Sequence, residues 1–161
     1  MSDSTNYAGF WIRFGAWIVD AIVLAVPIIA VSILFPATVD ETTGMSSGPN
    51  LVGSLIGAAI VGAYFIFMES SAKQASLGKM ALGLKVTTMD GGRLSLGKAA
   101  VRAWPFYLGG LAGAADALVG TGMILSLIVG VAALIALLVI AFSSNKQGLH
   151  DKMAGALVVK N

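Results

Sequence analysis

An arginine and an aspartate lie within one long apolar stretch near the start of the chain, and they are the first candidates for chemistry. Arg13 and Asp20 belong to the segment 10–35, which reads FWIRFGAWIVDAIVLAVPIIAVSILF. The segment is long enough to cross a bilayer, and crossing segments seldom carry ionisable residues because burying a charge in hydrocarbon is costly. Both side chains are therefore functional candidates, and their partners must come from elsewhere in a helix bundle.

Helix geometry argues against a direct contact between these two residues. Seven residues make about two turns, so Arg13 and Asp20 share a face but lie roughly 10.5 Å apart along the axis. Helical side chains lean toward the N-terminus, which turns Arg13 away from Asp20. We therefore predict that Arg102 pairs with Asp20 and that Asp151 pairs with Arg13. Asp20 is then either a proton- or cation-responsive carboxylate or one member of a structural ion-pair network.

Three further charged residues are secondary candidates, namely Lys79, Glu69 and Asp116. Glu69 ends the second apolar segment and is predicted to be an interfacial charge; the alternative is that it faces the cytoplasmic mouth of the bundle with the other charged residues. Asp116 lies in the third apolar segment and is predicted to be a solvated residue at its outer end; the alternative is a second acid on an ion pathway. Lys79 belongs to the basic segment between the second and third apolar segments.

The composition is that of an integral membrane protein. Of the 161 residues 57% are hydrophobic and only 11% charged, with a mean hydropathy of +0.88, whereas a soluble domain is about a quarter charged. The net charge of +2 is too small to indicate nucleic-acid binding. The absence of cysteine excludes disulfides and thiolate metal sites, and a single histidine, His150, argues against a histidine-rich metal centre. We predict neither a metal nor a cofactor.

The order of apolar and basic segments predicts an all-α membrane protein with four spans in a single domain, 1–161. Every lysine and arginine lies at the start of the first span, between the second and third spans, or in the tail. The positive-inside rule then places both termini in the cytoplasm. The first span carries two charges and exceeds a signal-peptide core, so we expect it to be retained. The predicted spans are about 11–35, 51–68, 103–119 and 121–142.

The cytoplasmic segment 69–102 is predicted to contain secondary structure. Ser76 could cap a short helix over 77–83, and Ser95 could cap a helix that runs into the third span. Residues 84–89 and 156–160 both look like strands and could pair as a two-stranded ribbon; the alternative is that both lie on the membrane interface. Residues 36–50, with Asp40 and Glu41, are predicted to be a polar loop.

Two pairs of glycines are predicted to bring helices close together. Gly53 and Gly57 lie in the second span, and Gly109 and Gly113 lie in the third, each pair with the small-xxx-small spacing of close helix contacts. We predict that they pack helices within the bundle; homodimerisation is the alternative.

Three motifs in order resemble the RDD family of membrane proteins. The first is GFWIRF followed by Ala16 and Asp20; the second is Gln74-x-Ser-x-Gly-Lys with a later Gly-Leu-x-Val; the third is QGLHDK, which carries Asp151. The resemblance implies a small multispan protein of a bacterial cytoplasmic membrane. For this family transport has been suggested, and some members are associated with sodium/proton exchange.

The sequence therefore leaves more than one function open. The first is transport or exchange of small cations, which with only four spans would need a homo-oligomer. The alternative is a non-catalytic membrane scaffold or assembly partner, and a weaker one is lipid binding by the six basic residues of 73–102. We expect no enzyme: residues 92–99 resemble a phosphate-binding loop, but Ala99 replaces the required Ser or Thr. His150 and Asp151 are adjacent and suggest a catalytic dyad, but no nucleophile is placed to act with them.

Overall fold

The computed structural model describes residues 6–39, 46–48, 50–120, 123–143 and 145–161. Most of these residues are helical, and a few form short strands. In chain order the elements are α1 (Phe10–Leu34), β1 (Thr38–Val39), β2 (Ser46–Gly48), α2 (Leu51–Ser70), α3 (Leu77–Ala81), β3 (Leu84–Thr88), α4 (Leu96–Arg102), α5 (Trp104–Val119), α6 (Ile124–Phe142), α7 (Leu149–Ala154) and β4 (Ala156–Lys160). The predicted helical class is confirmed.

Among the described residues, three helices, α1, α2 and α6, are long and apolar enough to cross a membrane. Helix α5 has 16 residues, about 24 Å of helix, and packs against both α2 and α6. The outward faces of the long helices are apolar and uncovered: Val26 is 74% exposed and Leu127 is 68% exposed. Such faces would be unfavourable in water, whereas lipid is a suitable surrounding for them.

Helices α4 and α5 are separate, although one continuous helix was predicted. Ser95 caps α4 as expected and accepts a hydrogen bond from the Lys98 amide at 3.3 Å. The break falls at Ala103, and Pro105 lies in the first turn of α5. Proline has no amide proton to donate to the preceding turn, so a new helix starts where that donor is not needed.

A small cap made of a β-ribbon and short helices covers one end of the bundle. Strands β3 and β4 pair antiparallel from Leu84–Lys160 to Thr88–Ala156, which confirms the predicted ribbon. The segment before α1 lies along the ribbon, where the Ala8 amide donates to the Val158 carbonyl at 2.9 Å. A cluster of buried apolar residues lies in this cap, against α1, α4 and α7. Its buried members are Ala8, Ala16, Leu84, Val86, Leu94, Ala99, Ala154, Ala156 and Val158.

At the other end of the bundle, the connection from α1 to α2 contains a second, shorter ribbon. Residues 36–50 were predicted to be a polar loop, but Thr38 pairs with Gly48 in an antiparallel β1–β2 hairpin. Asp40 and Glu41, the acidic residues of that loop, lie outside the described residues. We refer to this end of the molecule as the hairpin end and to the capped end as the charged end.

The glycines of α2 pack against α1, as predicted. A Cβ on Gly53 would lie 2.9 Å from the Cβ of Phe35, and one on Gly57 would lie 3.7 Å from Ile28 Cδ1. Larger residues at Gly53 would push the end of α1 away, so this glycine sets how closely the two helices approach.

The glycines of α5 make their close contact one residue later than predicted. Gly109 is exposed and has nothing within 4 Å of a built Cβ, so its predicted packing role is wrong. Its neighbour Gly110 faces α2, where a Cβ would come within 2.8 Å of the Cβ of Ala58. Gly113 is buried, as expected for a residue inside the bundle.

Candidate functional site

Five buried side chains of alternating charge form a continuous chain at the charged end. Lys79 Nζ lies 2.9 Å from Glu69 Oε1, and Arg102 Nη1 contacts the other oxygen of Glu69. Arg102 Nε also donates to Asp151 Oδ1 at 2.8 Å. Arg13 Nη1 donates to Asp151 Oδ2 at 2.5 Å. The chain therefore runs from α3 through α2, α4 and α7 to α1, and the predicted Arg13–Asp151 pair is confirmed.

Arg13 also holds the two segments that flank the bundle. Its Nε donates to the Ala8 carbonyl at 2.9 Å, and its Nη2 donates to the Lys146 carbonyl at 2.5 Å. Each nitrogen thus reaches a different segment: the residues before α1, the tail before α7, and α7 itself through Asp151. A planar guanidinium with donors in fixed directions suits such a three-way contact, which a lysine could not reproduce.

Glu69 is fully buried, so the prediction of an interfacial charge is wrong. Helix α2 continues to Ser70, and the segment after it folds back over the helix end through α3, β3 and α4. This places Lys79 and Arg102 on either oxygen of the Glu69 carboxylate. A buried carboxylate needs such partners because losing water is costly for a charged group.

Asp20 accepts hydrogen bonds from three neutral donors. The Tyr64 hydroxyl and the Gly78 amide donate to Oδ1 at 2.6 and 2.7 Å, and the Ser76 hydroxyl donates to Oδ2 at 2.6 Å. The predicted Asp20–Arg102 pair is wrong, because Arg102 is bound to Glu69 and Asp151. Asp20 instead fixes the start of α3 against the middle of α1.

Helix α3 can reach Asp20 only because residue 78 is glycine. A Cβ on Gly78 would lie 1.9 Å from the Ala16 carbonyl oxygen and 2.9 Å from Asp20 Cγ. Ser76 precedes α3 as predicted, but its hydroxyl donates to Asp20 instead of capping the helix, and it accepts a bond from Lys79 Nζ at 3.2 Å. This hydroxyl links Asp20 to the chain of five charges.

The six linked groups are electrically balanced. Three cations, Arg13, Lys79 and Arg102, face three carboxylates, Asp20, Glu69 and Asp151, and all six are buried. We call this set the charge network. Glu69 and Asp151 each touch two cations, whereas the bonds to Asp20 come from uncharged groups.

The ionisation of the groups in the cap follows from burial and neighbouring charge. Burial alone would raise the pKa of Asp151, but Arg102 and Arg13 outweigh it and hold that pKa well below its usual range. Burial would likewise lower the pKa of Arg102, but Glu69 and Asp151 raise it instead. For His150 burial prevails and lowers the pKa to about 4, despite Asp151 beside it. The imidazole is therefore neutral at neutral pH.

Asp116 has a structural task at the opposite end of α5. It is buried, and its carboxylate accepts bonds from the Leu125 amide at 3.0 Å, the Ser126 amide at 2.9 Å and the Ser126 hydroxyl at 2.7 Å. These amides belong to the first turn of α6, where donors lack partners within the helix. The prediction of a solvated residue is thus wrong, and Asp116 ties α6 to α5.

A cavity of about 230 Å³ opens beside the charge network. Its charged and titratable lining comes from α1, α3, α4 and α7: Arg13, Asp20, Lys79, Arg102 and His150. The remaining walls are aromatic and aliphatic side chains of α1, α5 and α6, such as Trp17, Phe106 and Leu137. We call this space the charged cavity. Asp20 thus shares this cavity with three cations and an imidazole, and the remaining walls are apolar.

Comparison with known proteins shows that residues 7–155 match the RDD family. The chain belongs to the RDD family. Three similar proteins come from Bacillus subtilis strain 168. "Uncharacterized protein YxaI" is 30% identical over 94% of this chain and 96% of its own length. "Uncharacterized protein YckC" is 26% identical over 94% and 83%, and "Uncharacterized membrane protein YteJ" is 32% identical over 95% and 80%. No solved structure matches this RDD protein.

The three motifs that carry the family resemblance meet at this one site. The first supplies Arg13 and Asp20, the second supplies Ser76, Gly78 and Lys79, and the third supplies Asp151. Residues far apart in the RDD sequence are thus neighbours in the fold. The motifs describe one buried network rather than three independent sites.

One residue of the site was not predicted. Tyr64 donates to Asp20 and accepts from the Leu77 amide at 3.0 Å, so it joins α2 to both α1 and α3. The sequence offers one signal for it: a lone phenol within an otherwise apolar span, whose hydroxyl needs a partner when buried.

Proposed function

We propose that this RDD protein exchanges protons for small monovalent cations such as sodium, and that Asp20 binds the two in turn. The observation that carries the proposal is the position of Asp20 on the wall of the charged cavity, bonded there by neutral donors. Glu69 and Asp151 are each neutralised by two cations. The charge of Asp20 is instead available to a proton or a metal cation, and competition between these two ligands produces exchange.

The rest of the charge network would report the occupancy of Asp20. Ser76 stands between Asp20 and Lys79, donating to the first and accepting from the second. Neutralising Asp20 weakens the bond from the Ser76 hydroxyl, because bonds to a charged acceptor are stronger than bonds to a neutral one. Lys79 is then drawn further toward Glu69, 2.9 Å away. Occupancy at α1 is thereby transmitted to α2.

The proposed topology has four spans with both ends in the cytoplasm. Helix α6 is long enough to span the membrane. Helix α5 precedes it in the chain and begins next to α4, at the charged end. At that end Arg102 of α4 contacts Asp151 of α7, so the two arms of the α5–α6 pair return to the same side. This arrangement supports α5 as the fourth span, and the basic residues of the cap support a cytoplasmic charged end.

Flux measurement in liposomes tests the proposal. Purified protein is reconstituted with a pH-sensitive dye inside, and a sodium gradient is imposed. We expect proton flux that the gradient drives, and a loss of at least about tenfold in Asp20→Asn, equivalent to about 1.4 kcal/mol. Asp116→Asn is the matched control. It also removes a buried carboxylate, but this one binds the first turn of α6 and does not line the charged cavity. It should retain flux.

The outcome that overturns the exchange proposal is a folded, inserted protein without flux, or one whose Asp20→Asn variant carries flux unchanged. Four spans form a small carrier, so we further propose that the active form is a homo-oligomer. Chemical cross-linking in native membranes tests this. A protein that carries flux as an isolated monomer contradicts it.

A second candidate function is a non-enzymatic scaffold or assembly partner, in which the charge network is structural. The complete pairing of Glu69 and Asp151 favours it, since buried pairs of this kind fix one arrangement of helices. Mild solubilisation followed by affinity capture should then recover a partner protein in stoichiometric amount. A protein that emerges alone and exchanges ions alone excludes this role.

A further inference from the structure

A second cavity of about 410 Å³ approaches the charged cavity from the hairpin end. It lies between α1, α2 and α5. Its lining runs from Ile28 to Phe35 at the end of α1, and from Asn50, just before α2, to Val61. Eleven residues of α2 correspond to about 16 Å, roughly half of the hydrocarbon thickness. Oxygen-bearing side chains line it: Ser32, Asn50 and Ser54. We call this space the hairpin cavity.

The side chain of Phe106 stands between the two cavities. It is the one residue that their two linings share, within the part of the chain that the structure describes. On α1 the charged cavity reaches Asp20 and the hairpin cavity begins at Ile28, eight residues or about 12 Å further along. The closed stretch is therefore short, and an aromatic ring occupies it.

We propose that the two cavities are halves of one cation passage and that Phe106 is the barrier between them. This inference rests on the proposed exchange function and adds the route to Asp20. Hydroxyl and amide oxygens of the hairpin cavity suit a small hydrated monovalent cation, since hard cations bind oxygen ligands. A hydrophobic constriction blocks such a cation by excluding its water. Phe106 thus separates the hairpin cavity from Asp20.

Two residues that touch the charge network, Phe65 and His150, contact this barrier. The Phe106 ring stacks on Phe65 with centroids 4.3 Å apart, and it meets the His150 ring edge-on at 6.3 Å. Lys79 Nζ lies 5.3 Å from the centroid of the same Phe65 ring, a cation–π distance. His150 in turn is next to Asp151 along α7. A shift of Lys79 on neutralisation of Asp20 therefore acts on Phe65, and through it on Phe106.

The chain contains no cysteine, so single introduced cysteines can map the passage without background labelling. Ser54→Cys marks the hairpin cavity and Leu137→Cys marks the charged cavity. Lys98→Cys, at an exposed position of the charged end, identifies which membrane face a reagent reaches. The probe is a membrane-impermeant cationic methanethiosulfonate, added to sealed vesicles from the face opposite Lys98.

From that face, Ser54→Cys should react and Leu137→Cys should be protected while Phe106 is present. Phe106→Ala should raise the labelling rate of Leu137→Cys by about tenfold or more, which requires the barrier to fall by about 1.4 kcal/mol. Phe106→Leu keeps most of the volume without the ring and should give a smaller increase. It also preserves the test if the alanine variant does not fold.

The proposal is overturned if Leu137→Cys reacts from the hairpin face with Phe106 intact. It is also overturned if folded Phe106→Leu and Phe106→Ala leave the protection unchanged. Labelling rates do not depend on exchange activity, so the two proposals can fail separately. Protection that depends on Phe106 together with absent proton flux in liposomes would reject the exchange function while confirming the barrier.

Discussion

Replacing Gly78 by alanine should separate α3 from α1 and release Asp20. The added Cβ would lie 1.9 Å from the Ala16 carbonyl oxygen, whereas real Cβ contacts below 3.0 Å essentially never occur, so α3 must move by at least about 1.1 Å. The bond from the Gly78 amide to Asp20, now 2.7 Å, would then stretch beyond hydrogen-bond range. The contact partner is backbone, so rotation of a side chain cannot relieve the clash.

The expected loss in the free energy of unfolding is about 2.5–6 kcal/mol. Overpacking contributes about 1–3 kcal/mol and a lost bond to a charged group about 1.5–3 kcal/mol. Gly97→Ala is the matched control: it also lies in a short helix of the charged end, but nothing lies within 4 Å of a built Cβ there. Alanine is favoured over glycine in helices by up to about 1 kcal/mol, so this variant should be neutral or slightly stabilised.

Titration of the protein from dodecyl maltoside into sodium dodecyl sulfate, followed by far-ultraviolet circular dichroism, measures both free energies. The reasoning fails if Gly78→Ala unfolds within about 0.5 kcal/mol of the parent, the range of an ordinary surface substitution. Fluorescence of the tryptophans should follow the same transition, since Trp17 lies on the charged cavity next to the displaced helix.

Three further predictions use the same unfolding assay. Gly110→Ala should lose about 1–3 kcal/mol because it overpacks against α2, while the adjacent Gly109→Ala should lose almost nothing; equal losses would refute the packing argument. Asp151→Asn should lose about 3–5 kcal/mol because two buried arginines lose a shared counter-ion. Arg13→Gln should lose less stability when it is added to Asp151→Asn than when it is made in the parent protein. A strictly additive double variant would contradict that coupling. The lowered pKa of His150 means that the unfolded chain binds an extra proton between about pH 6.5 and pH 4. Stability should therefore be complete above pH 6.5 and fall by up to about 3 kcal/mol toward pH 4, and His150→Asn should remove this part of the pH dependence.

Local sequence patterns predicted the elements well, because their signals are carried by neighbouring residues. The four apolar segments correspond to α1, α2, α5 and α6, and the alternating residues of 84–89 and 156–160 form the predicted ribbon. The break at Ala103 was missed, although Pro105 was the available signal. The β1–β2 hairpin was missed because its strands have only two and three residues.

The pairing of buried charges was harder to predict because charge alone does not identify a partner. Arg13 and Asp151 were matched correctly by sign and by position at the charged end. The same argument assigned Arg102 to Asp20 and failed, because Arg102 binds Glu69 instead. Neutral donors also satisfy a carboxylate, and a search for opposite charges does not find an uncharged donor such as Tyr64. The shift from Gly109 to Gly110 has a similar origin: small-residue spacing marks a helix face only to within about one residue.

The contact between Arg13 and Asp151 joins residues 138 positions apart, and this affects how the protein is made. Helix α1 is synthesised long before α7. The guanidinium of Arg13 therefore has no Asp151 carboxylate to pair with until synthesis reaches α7. The hydrogen-bond donors of Asp20 are synthesised earlier, because Tyr64 and Gly78 follow it by only 44 and 58 residues. A nascent chain that stops before Asp151 leaves two arginines short of a counter-ion in a loosely held cap. The charge network therefore closes only when the last part of the chain is present, because Asp151 supplies one carboxylate to both arginines.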